Sequence, residues 1–199
     1  MQNLKYFVPF SMLAMGAIIA LSNILVQYPL GQWLTYGALT YPLAFLVTDL
    51  VTRTRGASIA KRVIIVGFMV GIVSSLIAST LELTTLRIAI ASGVGFLAAH
   101  FLDVFVFQRL RHLSWWQTPA LSSTLASVVD TFLFFSIAFS ATTFALFIDG
   151  NTWAQELVPL LGFGPTFPLW VSLAVADLAV KLLLVIPLLL PYRALTKGN

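Results

Sequence analysis

The chain contains no cysteine, and only 9% of its 199 residues are charged. The first absence excludes disulfides, thiolate metal sites and a cysteine nucleophile. The second excludes an ordinary soluble domain, in which about a quarter of the residues are charged and cover the surface. With 59% hydrophobic residues, the missing cover has to be lipid. Three other signatures are absent as well: a Walker-type phosphate loop, a glycine-rich dinucleotide fingerprint, and a His/Cys/Asp/Glu cluster at metal-ligand spacing. No cofactor or metal is therefore expected, and the chain carries no machinery for nucleotide hydrolysis. The formal net charge is +4 and the pI about 9.7. The basic residues lie between apolar segments, so they report membrane topology rather than a nucleic-acid partner.

What is present is a series of long apolar runs. A membrane-spanning helix needs about 20 such residues. Six segments qualify: Tyr6–Val26, a second ending near Val51 and starting near Leu34 or Pro42, Arg62–Leu81, Leu86–Phe107, Pro119–Phe147 and Pro168–Leu190. All are apolar nearly all round, as lipid-embedded helices are. The expectation is one all-α integral membrane domain over residues 1–199. Lys5, Arg53, Arg55, Lys61, Arg62, Arg109, Arg111, Arg193 and Lys197 all fall on one side if the crossings number six, and the other side holds only Arg87. The positive-inside rule then places both termini in the cytoplasm. The opposite side carries Glu82, Asp149 and Glu156, with Trp33 and Trp153 suited to an interface, and its longest connection, residues 149–167, reads as irregular. Small residues recur at helical spacing (Gly67, Gly71, Ser75; Ala91, Gly95, Ala99; Gly16, Ala20). Such stripes let helices approach closely in lipid, within one chain or in a homodimer. The second and fifth spans each open on a proline and carry an aspartate, Pro42 with Asp49 and Pro119 with Asp130. Three spans apart they run in opposite directions, as in a 3+3 inverted repeat.

Ionisable groups at bilayer depth cost roughly 2.5–3.5 kcal/mol each on insertion scales and persist when paired, wet or functional. Asp177 and Lys181, four apart, are either a self-neutralising pair or a substrate or proton site. Asp130, with Ser123, Ser127 and Thr131 near it and no basic residue within a turn, needs a partner from another helix or a ligand. His100 and Asp103 share a face and read as a hydrogen-bonded pair or a proton relay. Asp49 reads as an interfacial partner of Arg53 and Arg55, or as part of the site. Asn23 offers an amide to a ligand or to a neighbouring helix. Dispersed over five spans, these groups describe a polar cavity. The candidate substrate-binding residues are Asn23, Phe45, Asp49, Asp103, Ser127, Asp130, Asp177 and Lys181; the proton-coupling candidates are His100, Asp103 and Asp177.

The stretch Tyr41-Pro42-Leu43-Ala44-Phe45-Leu46-Val47-Thr48-Asp49 resembles the proline–phenylalanine–threonine–aspartate signature of the queuosine precursor transporters, also called putative vitamin uptake transporters. Ser122 to Thr131, followed by Phe134 and Ala138-Phe139, resembles their second signature. His100 and Asp103 before Arg109-Leu110-Arg111, and Lys181 before Pro187 and Pro191-Tyr192, are similar to two more; Asn23 matches an asparagine of the first span. The chain departs from the pattern at Thr52-Arg53-Thr54-Arg55-Gly56 and around Trp116-Gln117. The resemblance implies a non-enzymatic, six-span importer in a bacterial inner membrane. Its substrate would be a 7-deazaguanine-type nucleobase such as 7-cyano-7-deazaguanine, salvaged for queuosine in tRNA. The rivals are a vitamin-binding membrane subunit of a larger energised complex and an intramembrane enzyme built on His100 and Asp103.

Overall fold

The structure, a computed structural model, describes residues 6–142 and 152–197. Lys5, Asp149 and the far end of the expected fifth span, residues 143–147, lie outside them. Among the described residues, five helices are long and apolar enough to cross a membrane: α1 (Phe7–Leu25), α4 (Ala57–Thr80), α5 (Leu86–Arg109), α6 (Gln117–Phe139) and α7 (Leu169–Thr196). Their outer faces leave Leu183, Ile186 and Leu190 each 70–71% exposed, a surface that only lipid can solvate. Between α1 and α4 lie a short helix α2 (Tyr36–Thr40) and the 14-residue α3 (Pro42–Arg55). Tyr41 keeps helical dihedrals between them, and its N–H still donates to the Gly37 carbonyl. Pro42 interrupts the ladder because it has no N–H. The path from Tyr36 to Arg55 is thus helical with one break, and about 30 Å long at 1.5 Å per residue. Both starting points read for the second span, near Leu34 and at Pro42, correspond to real features.

Several boundaries differ from the sequence reading, each for a local reason. Helix α4 begins at Ala57 rather than Arg62, because Gly56 at φ +83° turns the chain directly from α3 into it. Lys61 and Arg62 therefore sit on the helix and not in a loop. Helix α6 stops at Phe139, where Ser140 becomes extended. Helix α7 runs past Pro187 and Pro191 to Thr196; neighbouring helices make such prolines tolerable in a membrane. The connection read as irregular contains an antiparallel hairpin, β3 (Leu157–Pro159) on β4 (Thr166–Pro168), and a smaller one, β1 (Pro29–Leu30) on β2 (Leu34–Thr35), follows α1. Both lie at the end of the bundle away from Arg53, Arg109 and Arg193.

The small-residue stripes are used inside the chain. Gly67 and Gly71 of α4 face Met15 and Ile19 of α1, and Gly95 of α5 faces Asp130 of α6. Gly37 makes the tightest approach to backbone among the described glycines: a Cβ there would stand 2.9 Å from the Ser22 carbonyl oxygen and the Val26 nitrogen. Arg87 is not the lone counter-signal to the topology rule that the sequence suggested. It is fully buried, and it donates from Nε to the Ile137 carbonyl and from Nη2 to the Ser140 carbonyl, each at 2.7 Å. Gln155 donates to the Phe139 carbonyl beside them. The last carbonyls of a helix have no partner of their own, and a cation is favoured at that end. Arg87 is the C-terminal cap of α6.

Two substitutions test this packing. Arg87→Met should destabilise the detergent-solubilised protein by roughly 1.5–3 kcal/mol, the range for a hydrogen bond to a charged group, read as a lower thermal midpoint. Gly37→Ala should likewise lower the midpoint, because backbone atoms cannot move aside as a side chain would; an unchanged midpoint for either contradicts the contact it removes.

Candidate functional site

Lys181 is buried at the middle of α7, 4% exposed. Its Nζ lies 2.7 Å from Asp130 Oδ2 of α6 and 2.5 Å from Asp177 Oδ2, one turn earlier on its own helix. The third proton reaches the Thr131 hydroxyl at 3.1 Å. All three ammonium donors are thereby used. Thr131 in turn donates to Asp177 at 2.7 Å, and the Tyr41 hydroxyl donates to the other oxygen of Asp130 at 3.1 Å. Sequence proximity supplies only the Asp177 contact. The partner that Asp130 needed comes from α7, brought close because α6 packs along both α5 and α7. Gly95 makes the room: a Cβ there would stand 3.1 Å from Asp130 Oδ1. The Lys181 Nζ also lies 5.2 Å from the centre of the Tyr41 ring.

Next to this network stands a three-ring stack. His100 is sandwiched between Phe45, 4.4 Å away centre to centre, and Phe96, at 4.2 Å. Tyr41 meets the histidine edge-on at 6.1 Å. His100 Nδ1 bonds the Phe96 carbonyl at 3.0 Å, and Nε2 has no hydrogen-bond partner among the described residues. The expected bond between His100 and Asp103 is not made, because the rings hold the imidazole and its nearer nitrogen turns back to its own helix.

A second polar group lies one step nearer the basic end. Asp49 of α3 accepts from Ser122 at 3.3 Å and from Ser123 at 3.0 Å, both on α6. It faces the bundle interior at 3% exposure, which corrects its reading as an interfacial partner of Arg53 and Arg55. Asp103 of α5 is fully buried against Asp49 and Ser122. Neither of its oxygens has a hydrogen-bond donor among the described residues.

Two clefts flank the stack. The first, with about 350 Å³ of empty space, is lined by Phe45, Asp49, Ser123, Ser127, Lys181 and Tyr192 among others, and lies in the half of the bundle toward the basic end. The second, about 290 Å³, is lined by Asn23, Tyr41, Ser75, Ser92 and Phe96 among others, in the opposite half. Phe45 belongs to one wall and Phe96 to the other, so the stack runs from cleft to cleft. Of the eight residues read as substrate-binding, six line the first cleft (Phe45, Asp49, Ser127, Lys181) or bond to its lysine (Asp130, Asp177), with Asp103 behind Asp49; Asn23 stands apart. Its amide donates to Ser74 Oγ at 2.6 Å and to Ser75 Oγ at 3.3 Å, joining α1 to α4. Sequence reasoning centred on charges passed over Tyr41 and Tyr192. Tyr41 had a usable signal, its place directly before Pro42 in the first signature.

The sequence profile of the family described as "Putative vitamin uptake transporter" matches residues 35–194. The chain is 38% identical to a "Probable queuosine precursor transporter" of Haemophilus influenzae, over 69% of this chain and 71% of that one. It is 32% identical to the "Queuosine precursor transporter" of Escherichia coli, over 87% of this chain and 79% of that one. No solved structure matches. The matched region runs from just before α2 to the last turns of α7 and takes in both polar groups and the ring stack: the chain is a multi-pass membrane protein of the putative vitamin uptake transporter family.

Proposed function

We propose that this protein imports queuosine precursors, 7-deazaguanine-type nucleobases such as 7-cyano-7-deazaguanine, across a bacterial inner membrane. The observation that carries the reading is Lys181, buried at mid-helix between two carboxylates and opening onto a cleft whose wall is an aromatic ring. The two relatives' names supply the substrate class. A deazaguanine presents an amino group and a ring N–H side by side, which one carboxylate accepts together, and a carbonyl oxygen that an ammonium donates to. Asp130 or Asp177 with Lys181 provides that pair, and Phe45 provides a face for the flat ring. In substrate-free protein the carboxylates and the ammonium satisfy one another. Substrate exchanges those bonds for its own, so binding costs less than stripping bare charges would.

The helical path from Tyr36 to Arg55 is, in this reading, the sixth crossing. Six crossings return both ends to the basic, cytoplasmic side. They also pair α3 with α6 in a 3+3 arrangement whose aspartates reach adjoining polar groups from opposite directions. The cleft toward the basic end is then the inner vestibule and the Asn23 cleft the outer one. The Phe45–His100–Phe96 stack and Tyr41 close the path between them.

Asp130→Asn tests the assignment. The Lys181–Asp177 pair survives in this variant, so the protein should insert and remain folded. Uptake of labelled 7-cyano-7-deazaguanine by the purified variant in liposomes should fall at least ~10-fold, the equivalent of about 1.4 kcal/mol of lost binding. Unchanged uptake would remove the assignment, and a wild-type chain that binds the base but does not move it alone would favour a subunit of a larger energised complex.

A further inference from the structure

Two acidic side chains in contact inside a membrane protein pose a physical problem of their own. Asp49 and Asp103 come from different helices, α3 and α5, and face each other at full burial. Ser123 donates to Asp49 at 3.0 Å, and Ser122 stands 3.3 Å from both Asp49 Oδ1 and the Pro119 carbonyl. Both oxygens of Asp103 are without a donor among the described residues. Like charges at this separation do not both persist without a cation between them.

The groups that face the pair do not supply that cation. On α5 the nearest titratable group is His100, one turn away, whose ring is held in the aromatic stack. On α7 they are Lys181, committed to Asp130 and Asp177, and Tyr192, which lies in the field of Asp49 together with Arg53 and Arg111. Helix α6 presents the two serines, with Asp130 bound to Lys181 and Tyr41. Helix α4 carries only Lys61 and Arg62, in its first turns, and α1 has no titratable residue.

We infer that Asp49 and Asp103 form a proton-binding site that shares a single proton, carried on Asp103 and donated to Asp49, and that this proton travels with the substrate. The serine donors stabilise the negative charge on Asp49, which leaves Asp103 as the acid. The site borders the substrate cleft, since Asp49 and Ser123 line it together with Lys181, yet it is distinct from the lysine network. In one cycle Asp103 takes a proton from the outer side and is neutral while substrate enters. It releases that proton toward the basic end when the inner vestibule opens and water solvates the two carboxylates, so one proton moves per substrate and none is created or lost. The direction rests on the import reading above; the site rests on the burial of both carboxyls, the donorless oxygens of Asp103 and the serine bond to Asp49.

Two measurements separate these. In substrate-free protein, the infrared C=O stretch of a protonated carboxyl should be present near neutral pH and vanish on alkaline titration. It should be absent from Asp103→Asn, shifted in Asp49→Asn, and retained in Asp177→Asn. A band that is missing from the wild type, or unchanged in Asp103→Asn, overturns the site. In liposomes holding the wild-type chain, an inward proton gradient should concentrate labelled 7-cyano-7-deazaguanine several-fold above its external level, against simple equilibration without the gradient. Equal uptake in the two conditions overturns the coupling while leaving import intact. If no uptake occurs at all, the import reading fails and the infrared result alone decides the proton site.

Discussion

The structure depends on a cation that has no water to turn to. Lys181 sits deep in an apolar bundle, and an unpaired ammonium there would cost several kcal/mol. Its neutralisation requires Asp130 from α6 and Asp177 from its own helix to converge on one point, with Thr131 and Tyr41 completing the hydrogen bonds. That requirement fixes how α6 and α7 face each other, and it brings the start of α3 against both through Tyr41. The glycine at position 95 follows from it as well, since α5 must leave space for the Asp130 carboxylate. Apolar packing alone sets such a register less strictly in lipid, where no hydrophobic drive acts between helices. The polar network sets it.

In the proposed function, the same network is what the protein exchanges with a ligand. Groups that bond only one another keep a dry bundle closed, and groups that can transfer those bonds to a flat, polar-edged base allow it to open. The aromatic stack from Phe45 through His100 to Phe96 spans the two clefts and stands beside the lysine. In the proposed reading, a substrate at Lys181 would touch the element that separates one side of the bundle from the other. The Asp49–Asp103 contact lies on the basic side of that stack, so the proposed substrate and proton sites would share a vestibule without sharing ligands.

Much of this was legible in the sequence, because lipid imposes simple rules. Long apolar runs gave α1, α4, α5 and the start of α6, and the i, i+4 spacing gave the Lys181–Asp177 pair. The charge distribution singled out Arg87 as an exception, but not its task, since capping α6 is a contact between residues 50 and 53 positions apart. Asp49 was read two ways because its nearest charges in sequence are arginines, whereas its hydrogen-bond partners are hydroxyls from another helix. Asn23 was read both as a ligand amide and as a helix tie, and its bonds are those of the tie. The Tyr41 hydroxyl and the shared burial of Asp49 with Asp103 depend on three helices meeting, and no local pattern encodes that.

The central claim is that Lys181 is held by its two aspartates, and that they need it equally. It is tested by comparing the thermal stability of three purified proteins: wild type, Lys181→Met, and Lys181→Met combined with Asp130→Asn and Asp177→Asn. Removing the lysine alone strands two buried carboxylates and should cost about 3–5 kcal/mol, while neutralising the whole group should restore most of that loss. A Lys181→Met protein as stable as wild type, or a triple variant no more stable than the single one, would contradict the account.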